Sequence, residues 1–87
     1  EIMPTNPAIL DTLAQVYVAE KSYDEALKYY EQAVTEQNIT EEIYLNYVEA
    51  LFLAKQDFLA KRKLMQKEYK EADSIKRVAE LTAKYKL

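Results

Sequence analysis

Apolar residues recur along most of this chain at the three- and four-residue spacing of a helix face. Between residues 7 and 20 they fall at Ile9, Leu10, Leu13, Val16 and Tyr17, the i, i+3, i+4, i+7 pattern of one buried stripe. Asn6 before Pro7 suits a helix start. Asn can accept a bond from a free amide, and Pro costs nothing at the first helical position. Over residues 23–37 a second stripe holds Tyr23, Ala26, Leu27, Tyr30, Ala33 and Val34. Ser22 and Glu25 stand at the capping-box spacing before it. Only residues 20–22 lie between the stripes, and so short a connection predicts two antiparallel helices side by side.

A second pair follows. Thr40 reads as an N-cap, with Glu41 and Glu42 favoured by the backbone dipole of the first turn. Ile43, Tyr44, Tyr47, Val48, Leu51 and Ala54 then recur at helical spacing. Tyr44, Tyr47, Val48 and Leu51 stand 34 positions after Leu10, Leu13, Ala14 and Tyr17. Asp57 is the expected cap of a fourth helix, whose register is open by one residue. Pairing Phe58 with Tyr23 puts Lys61 where Ala26 stands and Met65 where Tyr30 stands. Taking Ala60 as the close-contact residue shifts Leu64 into the aromatic position. The second register is preferred, because Lys is costly at a tight helix contact. Residues 71–86 predict a last helix with a narrow stripe of Ile75, Val78, Ala79, Thr82 and Tyr85. Residues 1–6 read as an extended lead-in. In it Ile2 and Met3 either cover part of the first pair or remain from a preceding repeat.

Leu10, Leu13, Ala14 and Tyr17 have the large-x-x-Leu-small-x-x-Tyr spacing, and Ala26 and Tyr30 the Ala-x-x-x-aromatic spacing, with Ala33 one turn later. This pattern resembles the tetratricopeptide repeat, a helical hairpin of about 34 residues. Ala14 and Ala26 are then the residues at closest helix approach, with Tyr17, Tyr23 and Tyr30 packed around them. Two positions depart from the family: Ala14 stands where Gly is usual, and Asn38 stands where Pro is common. Val48, larger than the preferred small residue, is expected to open the second pair a little. The resemblance implies an all-α fold: two antiparallel helix-turn-helix hairpins (7–40 and 41–72) and a capping helix (71–86), as a fragment of a right-handed α-α superhelix. A mostly charged last helix suits the end of a repeat stack, which must shield its final apolar face. The parent protein's C-terminus is then expected at or near Leu87. The abrupt opening Glu1, Ile2, Met3 reads as a cut from a longer chain. The order PAILDTLA…YDEAL…EALFLAKQD…KEYKEADSIKRVAEL is also similar to the C-terminal end of bacterial envelope repeat proteins, including PEP-CTERM/exopolysaccharide-type lipoproteins. That narrower resemblance implies an envelope or polysaccharide-assembly setting. The residues themselves leave envelope and cytoplasm both open.

Composition narrows the chemistry. The 87 residues contain no Cys, His or Gly. That removes thiolate metal sites, the commonest general base and the phosphate-cradling or nucleophile-elbow loops. Few turns needing positive φ are expected. The remaining carboxylate pairs, Asp24/Glu25 and Glu41/Glu42, sit in first turns, where acids stabilise without any chemistry. The expectation is a non-enzyme with no cofactor. No apolar run reaches bilayer-spanning length and no signal peptide is visible.

The net charge of −3 is unevenly spread. Residues 1–50 hold ten acids against two lysines, a balance of −8. Residues 51–87 hold ten bases against five acids, a balance of +5. The bases are interleaved with acids, which favours a solvated helix surface over a nucleic-acid or anionic-membrane patch. Unlike ends can also attract between molecules, giving weak head-to-tail association.

By the family resemblance, the first helix of each hairpin lines a concave groove. That implies Asp11, Gln15, Val18 and Ala19 from the first repeat, and Glu42, Leu45, Asn46, Glu49, Phe52 and Leu53 from the second. Ile75, Val78 and Thr82 would add to it from the last helix. Some members clamp acidic peptide tails with Lys, Asn and Arg. Asn46 matches one clamp position, but Asp11 and Gln15 replace the expected Lys and Asn. The acidic, apolar groove therefore favours a basic or hydrophobic protein, peptide or partner helix. Leu45, Phe52 and Leu53 lie off the hairpin-packing stripe. Exposed, they support partner binding; buried by the last helix, they support a purely structural cap of a longer solenoid.

Overall fold

The computed structural model describes residues 6–36 and 39–86. Among them are five helices and no strand: α1 (Pro7–Ala19), α2 (Tyr23–Ala33), α3 (Glu41–Leu53), α4 (Asp57–Gln66) and α5 (Ala72–Lys84). No described helix is long and apolar enough to cross a membrane. The expected starts of α1 and α3 are present. Asn6 accepts from the Ala8 amide at 2.8 Å, with Pro7 at the first helical position, and Thr40 accepts from the Ile43 amide at 3.2 Å. Two other expected caps are absent. Ser22 makes no side-chain cap bond, and Asp57 lies inside the first turn of α4, after Gln56. The second helix ends at Ala33, short of residue 37. Asn38 and the lead-in residues Ile2 and Met3 lie outside the described residues.

The hairpin turns correct the expectation about positive φ. Lys21 and Lys55 adopt φ of 63° and 65°. Each follows a helix end at which the same pair of bonds closes: Lys21 N to Val18 O with Ser22 N to Tyr17 O, and Lys55 N to Phe52 O with Gln56 N to Leu51 O. This is the left-handed cap that terminates many helices, a role Gly usually fills. In a chain without Gly, lysine takes it in both hairpins, 34 residues apart, and Lys86 after α5 also has a positive φ of 57°.

Packing follows the small residues. Ala14, Ala26, Val48 and Ala60 are fully buried, whereas Lys61 is exposed. The preferred register of α4 is therefore the observed one. Contact between α3 and α4 is less extensive than between α1 and α2, in line with Val48 standing where the first hairpin has Ala14. Helix α3 packs against both α1 and α2. Tyrosines bridge the elements: Tyr17 stacks on Tyr29 at 5.6 Å, and Tyr30 tilts against Tyr47 at 6.2 Å. At the C-terminal end of α4 the Tyr44 hydroxyl donates to Lys63 O (2.7 Å) and the Tyr69 hydroxyl to Leu64 O (3.0 Å). These side chains satisfy carbonyls that the helix end leaves without an internal partner, and burial raises the pKa of both tyrosines.

Three apolar assignments change. Ile9 and Val16 are about half exposed, because α1 is apolar on more than one face and its buried side chains are Pro7, Leu10 and Ala14. On α5 the inward face is Ser74 and Leu81, flanked by Val78 and Tyr85, while Ile75 and Ala79 face solvent. Leu45 is fully buried and Phe52 is 2% exposed. The Phe52 ring lies on Tyr85 at 4.2 Å with 6° between planes. Both belong to the core, so neither is a surface contact for a partner. Leu53 alone of the three remains partly exposed.

Candidate functional site

Helices α1, α3 and α5 share one side of the molecule, and a concavity of about 290 Å³ opens among them. Gln15 and Val18 come from α1, Glu42, Asn46, Glu49 and Leu53 from α3, and Arg77 from α5, with Tyr30 and Ala50 below. Six of the sequence-expected groove residues thus meet in one place: Gln15, Val18, Glu42, Asn46, Glu49 and Leu53.

Asp11 adjoins them as the acceptor that orders the polar side. Asn46 Nδ2 donates to one carboxylate oxygen at 3.0 Å and Gln15 Nε2 to the other at 2.8 Å. The Asn46 bond joins the first hairpin to the second. Burial, followed by the charge and hydrogen bonding of Asp11, pushes the Tyr30 hydroxyl well above the ordinary tyrosine range.

Glu49 is engaged within the fold. Its carboxylate receives Arg77 Nη2 at 3.2 Å, Lys84 Nζ at 2.8 Å and the Tyr85 hydroxyl at 3.4 Å, from α5 and its C-cap. Burial pushes its pKa up, but the hydrogen bonds and charges of Lys84 and Arg77 outweigh that, and the net shift is downward. Arg77 also reaches the Glu42 carbonyl oxygen at 3.5 Å. The Glu42 carboxylate is exposed and makes no ion pair among the described residues.

The start of α5 is held by Glu41, whose carboxylate accepts the Lys70 amide at 3.0 Å and the Glu71 amide at 3.1 Å. The Lys70 bond is the largest cause of its lowered pKa; partial desolvation opposes it, and the Glu71 amide and Ser74 hydroxyl reinforce it. Sequence reasoning placed Glu41 only as a dipole-favoured first-turn acid. It also put Ile75, Val78 and Thr82 in the groove and missed Arg77. A base at i, i+7 with Lys84, facing Glu49 on α3, was the available signal.

The left-handed lysine caps and the buried Ala26 and Ala60 each recur 34 residues apart. A family model described as Tetratricopeptide repeat matches residues 7–50, half of the chain. The chain belongs to the tetratricopeptide repeat family. Neither the curated proteins nor the solved structures give a match. Tetratricopeptide repeats are generally protein–protein interaction modules, and the match extends to the family and to no narrower group.

Proposed function

We propose that the concave face of α1, α3 and α5 binds a protein segment that presents a basic side chain beside an apolar one. The observation that carries this is the Glu42 carboxylate, which makes no ion pair among the described residues, in one pocket with Val18 and Leu53. Arg77 offsets Glu49, which leaves Asp11 and Glu42 to set a negative local potential. An incoming Lys or Arg gains a charge partner at Glu42. The free oxygen of the Asn46 carboxamide can accept a hydrogen bond from a peptide amide. Arrayed short peptides of varied charge test the reading. Peptides combining Lys or Arg with Leu or Val should be retained, and Glu42→Lys should abolish their retention. Preferential capture of acidic peptides, or equal capture by the variant, would overturn it.

A second reading has its own support. Leu45 and Phe52 lie buried in the core, Phe52 against Tyr85, which favours a structural end-piece that stabilises a longer solenoid. On that reading no peptide class is retained by the concave face.

A further inference from the structure

The concave pocket is not the largest recess in the molecule. Between α4 and α5 lies a groove of about 510 Å³, lined by Leu64, Met65, Tyr69 and Val78 and edged by Lys61 and Lys67. It exists because α5 rests on α3 and leaves α4 to one side. Helix α1 has α2 packed along it and α3 has α4, but α5 has no such companion among the described elements. A helix entering the groove would be held from both sides, as α3 is held by α1 and α2. Met65, in the groove wall, is 72% exposed.

At the opposite end, the outward face of α1 carries a matching apolar stripe. Ile9 and Val16 are 50% and 51% exposed, with Leu13 between them. The charges differ in the same sense: α1 carries one acid and no base, whereas α4 carries three bases against one acid. We propose that the chain associates head to tail, with the Ile9–Leu13–Val16 face of α1 seated in the α4–α5 groove of a second copy. Charge selects this orientation. A groove-to-groove dimer would set Lys61 and Lys67 against their own copies, and an α1-to-α1 dimer would pair two helices that carry an acid and no base. Such a contact is heterologous and leaves a free head and a free tail on every assembly. It does not involve the concave pocket.

The test is analytical ultracentrifugation of the whole chain and two exposed-site variants, each first shown to keep the wild-type helical spectrum. Val16→Lys disables the head and Met65→Lys the tail. The wild type should gain mass with concentration beyond its 10.2 kDa chain. That gain should shrink between about 0.1 M and about 1 M salt, as the screening length falls from ~10 Å to ~3 Å. Each variant alone should stay monomeric, while an equimolar mixture should form a dimer and nothing larger, since each variant supplies the face the other lacks. A monomeric wild type, self-association by either variant alone, or a monomeric mixture would overturn the proposal. A groove that instead takes an acidic helix from another protein gives the first of these results.

Discussion

Glu49→Gln isolates what holds α5 in place, because the amide keeps the shape of the side chain and removes its charge. The wild-type carboxylate faces three groups of α5 and its C-cap at 2.8–3.4 Å. The Arg77 pair is about a quarter exposed on both sides, and a partly shielded charge-assisted bond of this kind contributes about 1 kcal/mol net. The Lys84 side chain is 59% exposed, so solvent screening reduces its share to about 0.2–0.5 kcal/mol. The tyrosine bond is long and adds little. The variant should therefore lose about 1–2 kcal/mol at neutral pH, and for a domain of this size Tm should fall by about 4–16 °C. The pH dependence carries the sign. The folded pKa of Glu49 lies below its ordinary 4.5, so its stabilisation is complete above that value and is lost as pH falls through the depressed one. Thermal unfolding followed by circular dichroism, wild type against variant, at neutral pH and near pH 3, checks both. A deficit of the same size at the two pH values, or none at neutral pH, would refute the assignment of Glu49 as the anchor of α5.

Other consequences follow from the turns, the close contacts and the α5 start. Lys55→Gly relieves the left-handed backbone strain at φ 65° and should stabilise the fold by about 1 kcal/mol in urea unfolding. A neutral or destabilising result would mean that the turn is not strained. Ala60→Leu forces extra methylenes into a fully buried helix contact. It should cost about 1–3 kcal/mol in the same assay, whereas Lys61→Leu at the exposed neighbouring position should change stability little. Glu41→Gln weakens the acceptor for the Lys70 and Glu71 amides, so both should exchange faster with deuterium than in the wild type. Unchanged protection would show that Glu41 does not fix the start of α5.

The hairpins were legible because their determinants are local. Ala14, Ala26 and Tyr30 declare a close helix contact through spacing alone, and Ala60 resolves its register against Lys61 by the cost of burying a charge. Faces were harder to assign where a helix is apolar nearly all round. In α1 the periodicity merged the inward Leu10 with the outward Ile9 and Val16, since all satisfy three- and four-residue spacing through Leu13. Leu45 and Phe52 looked like groove residues because they stand off the hairpin stripe. The burial of Phe52 depends on where α5 returns across α3, a long-range event that no local pattern in α3 encodes. The same event brings Arg77 into the groove and turns Glu49 inward to meet it. The lysine caps escaped notice because a positive φ is normally read from Gly or Asn, and this chain contains no Gly.

The most direct test of the functional account uses the two carboxamides already in the pocket. In a ¹⁵N-labelled sample, the side-chain NH₂ groups of Gln15 and Asn46 report on that space from α1 and α3. Titration with a short Lys- and Leu-containing peptide should shift both signals, together with backbone amides of Val18, Glu42 and Leu53, and Glu42→Lys should suppress the shifts. Shifts confined to α2 and α4, or none up to saturating peptide, would contradict binding in the concave face.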